Sequence, residues 1–363
     1  DARFESRVVA VPSVEHTRLI LAPCGELQAD GDDVRRVGEA AAAGALEALN
    51  MGATTLSLRV DESIPARKHP VDGSIYQFAD VVAGLAVHQA AYVPLQARGG
   101  SSAKRRRLAS FEVAGSTPPH RQAIAALEEG RCLARDIGSA DPEWMTPAKL
   151  ASAVKDACVP AGIKVDIIED NLPTEYPLLS AVARASLSVE RHRPCVVRMS
   201  WSGEGSPIRT ICVAGKGVTY DTGGADVKAG GAMAGMRRDK CGAAAAAGFI
   251  LACARAPKEE TRGLRVLVEL GCVRNSIGPD AYVADEIITS HAGKRVLVGN
   301  TDMEGRMVLA DCLSHLRESV LKEQHPGPVF ISLATLTGHA KLTYGSYAVA
   351  LDNAAARSMG GVA

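Results

Sequence analysis

The chain has 363 residues, with 41 Lys and Arg balanced by 41 Asp and Glu, 47% apolar residues and 23% charged ones. That composition is globular rather than disordered, and zero net charge leaves no electrostatic footprint for nucleic acid or an anionic membrane. No apolar run approaches the ~18 residues of a membrane span and no signal-peptide pattern opens the sequence, so the length reads as about two domains with neither membrane nor nucleic-acid partners.

In chain order, apolar β-rich runs alternate with Ala-rich amphipathic stretches. Strands are expected at Arg7 to Val11 and Arg18 to Ala22, then a helix over Asp32 to Leu49, where Asp32 and Asp33 suit a helix start and Gly52 a stop. A strand at Thr54 to Val60 and a helix at Tyr76 to Ala91 continue the βαβα rhythm of a mostly parallel sheet flanked by helices. The clearest loop is Gly99 to Leu108, which contains the basic run Lys104 to Arg107. At neutral overall charge an exposed turn explains that run better than a nucleic-acid patch. After a strand at Ser110 to Ala114, Gly115 to Pro119 reads as a linker whose prolines pre-set the helix His120 to Ile137, and the domain boundary is placed there.

The second unit repeats the alternation. A helix at Pro147 to Val159 is followed by strands at Lys164 to Ile168, Cys195 to Ser200 and Thr210 to Ala214. The long helix Cys241 to Ala256 and the strand Leu264 to Leu270 come next. A strand pair, Glu286 to Thr289 and Arg295 to Val298, precedes the helix Met307 to Glu323 and a last strand at Pro328 to Ala334. Nine cysteines without a C-x-x-C pair read as reduced thiols, hence a reducing compartment, most simply the cytoplasm. The histidines are scattered too, without H-E-x-x-H, so a metal here would be held by carboxylates or something less usual.

The stretch best equipped for chemistry is Val213 to Gly242, which threads Lys216, Asp221, Lys228 and Asp239 through a run of glycines between a buried strand and an Ala-rich helix. Read as a loop at the strand's carboxyl end, it stands where open α/β sheets bind ligands. So flexible a loop is costly unless something orders it. A phosphate loop fits poorly, because glycine rather than Ser or Thr follows Lys216, and a dinucleotide fingerprint would open a helix directly. The second cluster is Asn300 to Asp311, where Asp302 and Glu304 precede Gly305, Arg306 and a helix. At the end of an extended segment their i and i+2 side chains would point the same way, although a plain helix start explains that cluster taken alone. Together, carboxylates and cations on neighbouring sheet ends suit a two-metal centre. A lysine ligates only when neutral, while a second, charged lysine stabilises an oxyanion.

The stretches GKGVTYDTGG, MRRD, NTDMEGRMVLAD and LATLTG, in this order and spacing, resemble the leucyl aminopeptidase family of dinuclear metallopeptidases, from about Leu133 to near the last residue. With the boundary at the linker, the expected organisation is a smaller N-terminal α/β domain, 1–118, followed by a second unit, 119–363, which the resemblance implies is a larger mixed-sheet α/β catalytic domain with helices on both faces. The resemblance also implies that Lys216, Asp221, Asp239, Asp302 and Glu304 hold two divalent metal ions, commonly Zn, with Mn, Mg or Co able to replace one. Lys228 would polarise the scissile carbonyl, and Arg306 would hold a bicarbonate acting as general base. Met236, Thr335, Leu336 and Gly338 match positions that line the first side-chain pocket or bind the substrate backbone. The implied activity is release of N-terminal, preferably Leu-like, residues from peptides by a homo-hexamer. The chain departs from the family at Met303 and His339, each where alanine is usual, and it ends soon after LATLTG, so the second unit is expected to lack its final portion. The competing reading is a structural or assembly member with little catalysis; its sign would be lost ligands, and none is lost.

Overall fold

In the computed structural model, residues 8–12, 18–25, 27, 33–65, 75–98, 108–345 and 347–358 are described; the basic run Lys104 to Arg107 lies outside them. The chain divides into two units, Asp1–Cys132 with Arg255–Pro257 and Leu133–Ala254 with Lys258–Ala363.

In the first unit β1 (Val9–Pro12) and β2 (Arg18–Leu21) pair antiparallel, and α1 (Arg35–Asn50) leads to β3 (Thr55–Leu58). Helix α2 (Ala79–Ala91) leads to β4 (Ser110–Val113), which pairs parallel with β3. The expected parallel alternation is therefore met by one pair and not the other. Too few residues separate β1 from β2 for a parallel crossover, which needs about a dozen or more. Helix α1 starts later than expected because Asp33 stands ahead of it, its Oδ1 accepting from the Arg35 backbone N at 2.8 Å. Ala41 and Ala45 of α1 share a core with Ala79, Ala83 and Val87 of α2. Helix α3 (Pro118–Ser139) begins with the two prolines themselves, which occupy its first turn instead of linking to it.

In the second unit α4 (Pro147–Cys158) starts under a Thr146 cap and precedes β5 (Lys164–Ile168). The short helices α5 (Leu172–Glu175) and α6 (Pro177–Ala183) lead to β6 (Cys195–Ser202). The centre is β7 (Arg209–Asp221), α7 (Cys241–Arg255) and β8 (Leu264–Asn275). A hairpin of β9 (Ile287–Thr289) and β10 (Arg295–Leu297) precedes α8 (Glu304–Glu323) and β11 (Pro328–Leu333). Helices α9 (His339–Tyr344) and α10 (Ala354–Ser358) follow. The sheet runs β11-β7-β8-β6-β5, with β11, β7 and β8 parallel and β6 and β5 antiparallel to their neighbours.

Alternation along the strands supplies two cores. Cys195, Val197, Val213, Val268 and Leu270 pack with α4 and α7, whereas Val196, Cys212, Ala214 and Val273 pack with α6 and α8. Both central strands run well past their expected ends, β7 through glycines that read as loop residues in the sequence. A Cβ on Gly215 would stand 2.7 Å from Ala243 Cα of α7, and one on Gly271 would stand 2.3 Å from Val308 Cγ1 of α8. These glycines let helices press against the sheet rather than let the chain turn. No disulfide forms among the described residues, and none of their helices is long and apolar enough to cross a membrane.

Candidate metal centre

Because β7 continues to Asp221, Lys216 and Asp221 sit on the strand and not in a loop. Lys216 faces the α8 side, and Gly305 makes room for its stem: a Cβ there would stand 2.8 Å from Lys216 Cδ. Asp239 lies just ahead of α7, after the short turn Met236–Arg238. Asp302 and Glu304 do not end an extended segment, contrary to the expectation from their spacing. Asp302 lies in the tight turn Thr301–Met303, where Asn300 Oδ1 accepts from its backbone N at 2.7 Å, and Glu304 opens α8. Their side chains consequently serve different partners.

Lys216 Nζ stands 2.7 Å from both Asp239 Oδ1 and Glu304 Oε1, and donates to Thr335 O at 3.0 Å. Lys228 Nζ pairs with Asp221 Oδ2 at 2.8 Å and with Asp302 Oδ1. The Thr335 hydroxyl donates to Asp239 Oδ1 at 2.8 Å. Oxygens of Asp221, Asp239 and Glu304, all buried, lie within 4.8 Å of one another. Four carboxylates thus surround two ammonium groups. Asp239 Oδ2 and Glu304 Oε2 are buried without a hydrogen-bond partner among the described residues. Buried polar groups are ordinarily satisfied, so these two oxygens single the cluster out as a candidate site.

The electrostatics carry the same signature. Burial pushes the Glu304 carboxyl up to about 8 against the pull of Lys216, with the charges of Asp221 and Asp239 adding to the rise. Burial raises Asp239 and Asp302 as well. For Lys216, burial alone would lower the ammonium's pKa, but Asp239 and Glu304 outweigh it and hold the pKa above its ordinary value. Lys228 is raised in the same way by Asp221 and Asp302.

Of the residues singled out in the sequence, seven meet in this centre through polar contacts: Lys216, Asp221, Lys228, Asp239, Asp302, Glu304 and Thr335. Leu336 borders it, its Cδ2 lying 3.0 Å from where a Gly305 Cβ would be. Met236 is part-buried on the turn before Asp239, and Gly338 is exposed ahead of α9. Arg306 is exposed on the first turn of α8 without a polar partner among the described residues. Met303 is part-buried between the two acids, and exposed His339 accepts or donates at Nδ1 with Thr337 Oγ1, 2.6 Å away.

The sequence reading missed the residues that hold the ligand-bearing segments. Asn275 Nδ2 donates to Asp221 Oδ1 at 2.8 Å and to Thr301 O at 3.1 Å, and the Tyr282 hydroxyl donates to Thr301 O at 2.7 Å. They stand far from both motifs in sequence, which gives no signal of the contact. A second group, Glu175, His291 and His315, also has ligand atoms within 4.8 Å of one another. His315 Nδ1 must accept from Arg198 Nη2 at 3.0 Å and Nε2 must donate to Glu175 O at 2.6 Å, so no lone pair is left for an ion.

Residues 132–359 match the family model described as the cytosol aminopeptidase family, catalytic domain. A Caenorhabditis elegans protein named "Putative aminopeptidase" is 37% identical over 94% of this chain and 64% of its own length. A probable cytosol aminopeptidase of Stenotrophomonas maltophilia is 31% identical over 92% of the chain and 64% of its own. The chain therefore spans about 64% of the length of these relatives. The solved structure of the bottromycin maturation enzyme BotP in complex with Mn superposes with a TM-score of 0.72 at 26% identity, over 94% of this chain and 69% of that one. A mixed α/β sheet of this topology, carrying a cluster of buried carboxylates beside its central strand, and a family match across most of the second unit lead to one assignment: the chain belongs to the cytosol aminopeptidase family.

Proposed function

We propose that the chain carries the centre of a metal-dependent aminopeptidase that releases N-terminal residues, Leu-like ones preferentially, from peptides. The observation that carries this reading is the pair of buried oxygens, Asp239 Oδ2 and Glu304 Oε2, left without partners beside Asp221. Hard oxygen donors suit divalent ions, and Lys216, Asp221, Asp239, Asp302 and Glu304 would hold two of them, Zn or else Mn, Mg or Co. When bound, such ions supply Lewis acidity and a water acidic enough to attack a peptide carbonyl at neutral pH.

The chain's own residues do the rest. Lys216, held as an ammonium by Asp239 Oδ1 and Glu304 Oε1, would have to release an Nζ proton to solvent in order to ligate, which would leave both of those oxygens available. Lys228 keeps its charge and donates to the carbonyl oxygen as negative charge develops there. Arg306, exposed where α8 begins, offers an anion such as bicarbonate a seat for general-base work. Met236 and Leu336 would give the first side-chain pocket its apolar lining and the backbone of Thr335 and Gly338 would hold the substrate, as the resemblance implies, and an apolar pocket discriminates only modestly among Leu-like side chains. Peptide substrates and a homo-hexameric assembly belong to the same proposal and rest on the family; a cytoplasmic location rests on the scattered cysteines, and the division into an N-terminal domain 1–118 and a catalytic domain 119–363 on the Gly115 to Pro119 linker.

Turnover of leucine p-nitroanilide by the chain with Mn2+ tests the reading, with the N-acetylated analogue expected to resist. Metal-loaded protein that cleaves neither leucine p-nitroanilide nor a Leu-initiated peptide would contradict it.

A further inference from the structure

Lys240 follows Asp239 in the chain, is fully buried, and has no carboxylate partner among the described residues. Its Nζ donates to the backbone carbonyls of Ala140, at 2.9 Å, and of Arg237. Burial pushes its pKa down to about 8. On either side of it, Arg237 Nε donates to Ser139 O at 3.2 Å and the Cys241 thiol to Gly138 O at 3.8 Å. Three side chains from one short segment thus take three successive carbonyls at the end of α3. The last carbonyls of a helix lack partners within it and carry the negative end of its dipole, so donors and cations are favoured there.

Lys240 also precedes α7, whose Ala244 N donates to Lys240 O at 3.0 Å. A cation is disfavoured at that positive helix end, and by reaching to α3 the ammonium avoids it. Asp239 stands between these donors and turns the other way, toward Lys216 and Thr335. Its negative charge is favoured where α7 begins.

We propose that Lys240, with Arg237 and Cys241, forms a clasp on the end of α3 that positions Asp239 for metal binding, a role that rests on the two-metal reading. Lys240 touches no metal ligand through its own side chain; it acts by fixing the segment that bears one. When the clasp loosens, metal binding that depends on Asp239 would weaken before binding that does not.

The test compares the full chain with Lys240→Met and Arg237→Met in two measurements, calorimetric titration with Mn2+ and hydrogen exchange of residues 236–244 in the metal-free state. Lys240→Met, which keeps the buried length and removes the donors, is expected to bind one ion as wild type does and the other at least ~10-fold more weakly, in the range seen when groups behind metal ligands are removed. Exchange in 236–244 is expected to accelerate. Arg237→Met is expected to show the same pattern with a smaller loss. A purely structural role would lower the melting temperature while leaving both affinities and the local exchange at their wild-type values, and that result overturns the proposal. If Lys240→Met does not fold, Arg237→Met decides: a weaker ion with faster local exchange supports the clasp, and neither overturns it. Wild-type chain that binds fewer than two ions counts against the two-metal reading, and the exchange comparison then decides the clasp alone.

Discussion

Two buried polar clusters stand on α8, and they are completed differently. At its first residue Glu304 shares Lys216 with Asp239, and each acid keeps one oxygen without a partner among the described residues. Further along the helix, His315 closes a network in which Glu269 Oε1 accepts from Arg198 Nε at 2.9 Å and Oε2 from the Tyr176 hydroxyl at 3.0 Å. Asp311 is equally well served, Oδ2 accepting from Leu178 N and Leu179 N and Oδ1 from His291 N. The second cluster satisfies itself and fastens α8 to the sheet and to α6. The first leaves two buried oxygens unmatched, which is the feature on which the proposed metal centre rests. A buried carboxylate is therefore informative only together with an account of its oxygens.

Substitutions that exchange charge for shape separate the two clusters. The largest effect is expected from Glu304→Gln: activity on leucine p-nitroanilide falls at least ~10³-fold with loss of one ion, because a ligand to the reacting centre is gone. The metal-free variant should unfold near the wild-type urea concentration at neutral pH, since the Glu304 carboxyl, pushed up to about 8, is already largely protonated there and the amide keeps its shape. Wild-type activity in Glu304→Gln would refute its assignment. Lys228→Ala comes next, with kcat reduced ~10²–10³-fold while both ions remain bound. Unchanged kcat would remove Lys228 from the mechanism.

The smallest effect is expected at the self-satisfied cluster. Burial raises Glu269 to about 7 from its ordinary 4.5, against the pull of Arg198. The folded chain then holds a proton that the unfolded chain releases, so this contribution to stability is complete below about pH 4.5 and is lost as pH rises through about 7. Glu269→Gln should flatten that decline, by about 1–3 kcal/mol across the window, without altering metal content or kcat. Urea unfolding at several pH values measures it. A loss of bound metal in Glu269→Gln would show that the clusters are not independent.

Much of the second unit was legible because its strands and helices differ in period and are bounded by clear breakers: α4, β5, α7 and α8 fall near their expected places. The candidate ligands were legible as carboxylates and lysines in two ordered motifs. Their local structure was not. Gly215 looks like flexibility in the sequence, yet it is a strand position where a helix backbone approaches too closely for a Cβ. The Asp302 and Glu304 spacing suits a strand as well as a helix start, and the Asn300 cap decides for the helix. Nothing in the sequence singles out Lys240, because its burial beside the end of α3, a hundred residues earlier in the chain, is invisible to local pattern. In the first unit the antiparallel pairing of β1 with β2 followed from the shortness of their connection, a stronger constraint than the general α/β rhythm.

The most direct test of the metal centre is the number of Mn2+ ions held by the chelator-stripped chain and by its Asp239→Asn and Glu304→Gln variants, with the melting temperature followed in parallel. Two ions per chain and a rise in melting temperature on loading are expected for wild type, and at most one tightly held ion for each variant. Wild-type protein that takes up no Mn2+, or variants that hold two ions as tightly as wild type does, would contradict the account.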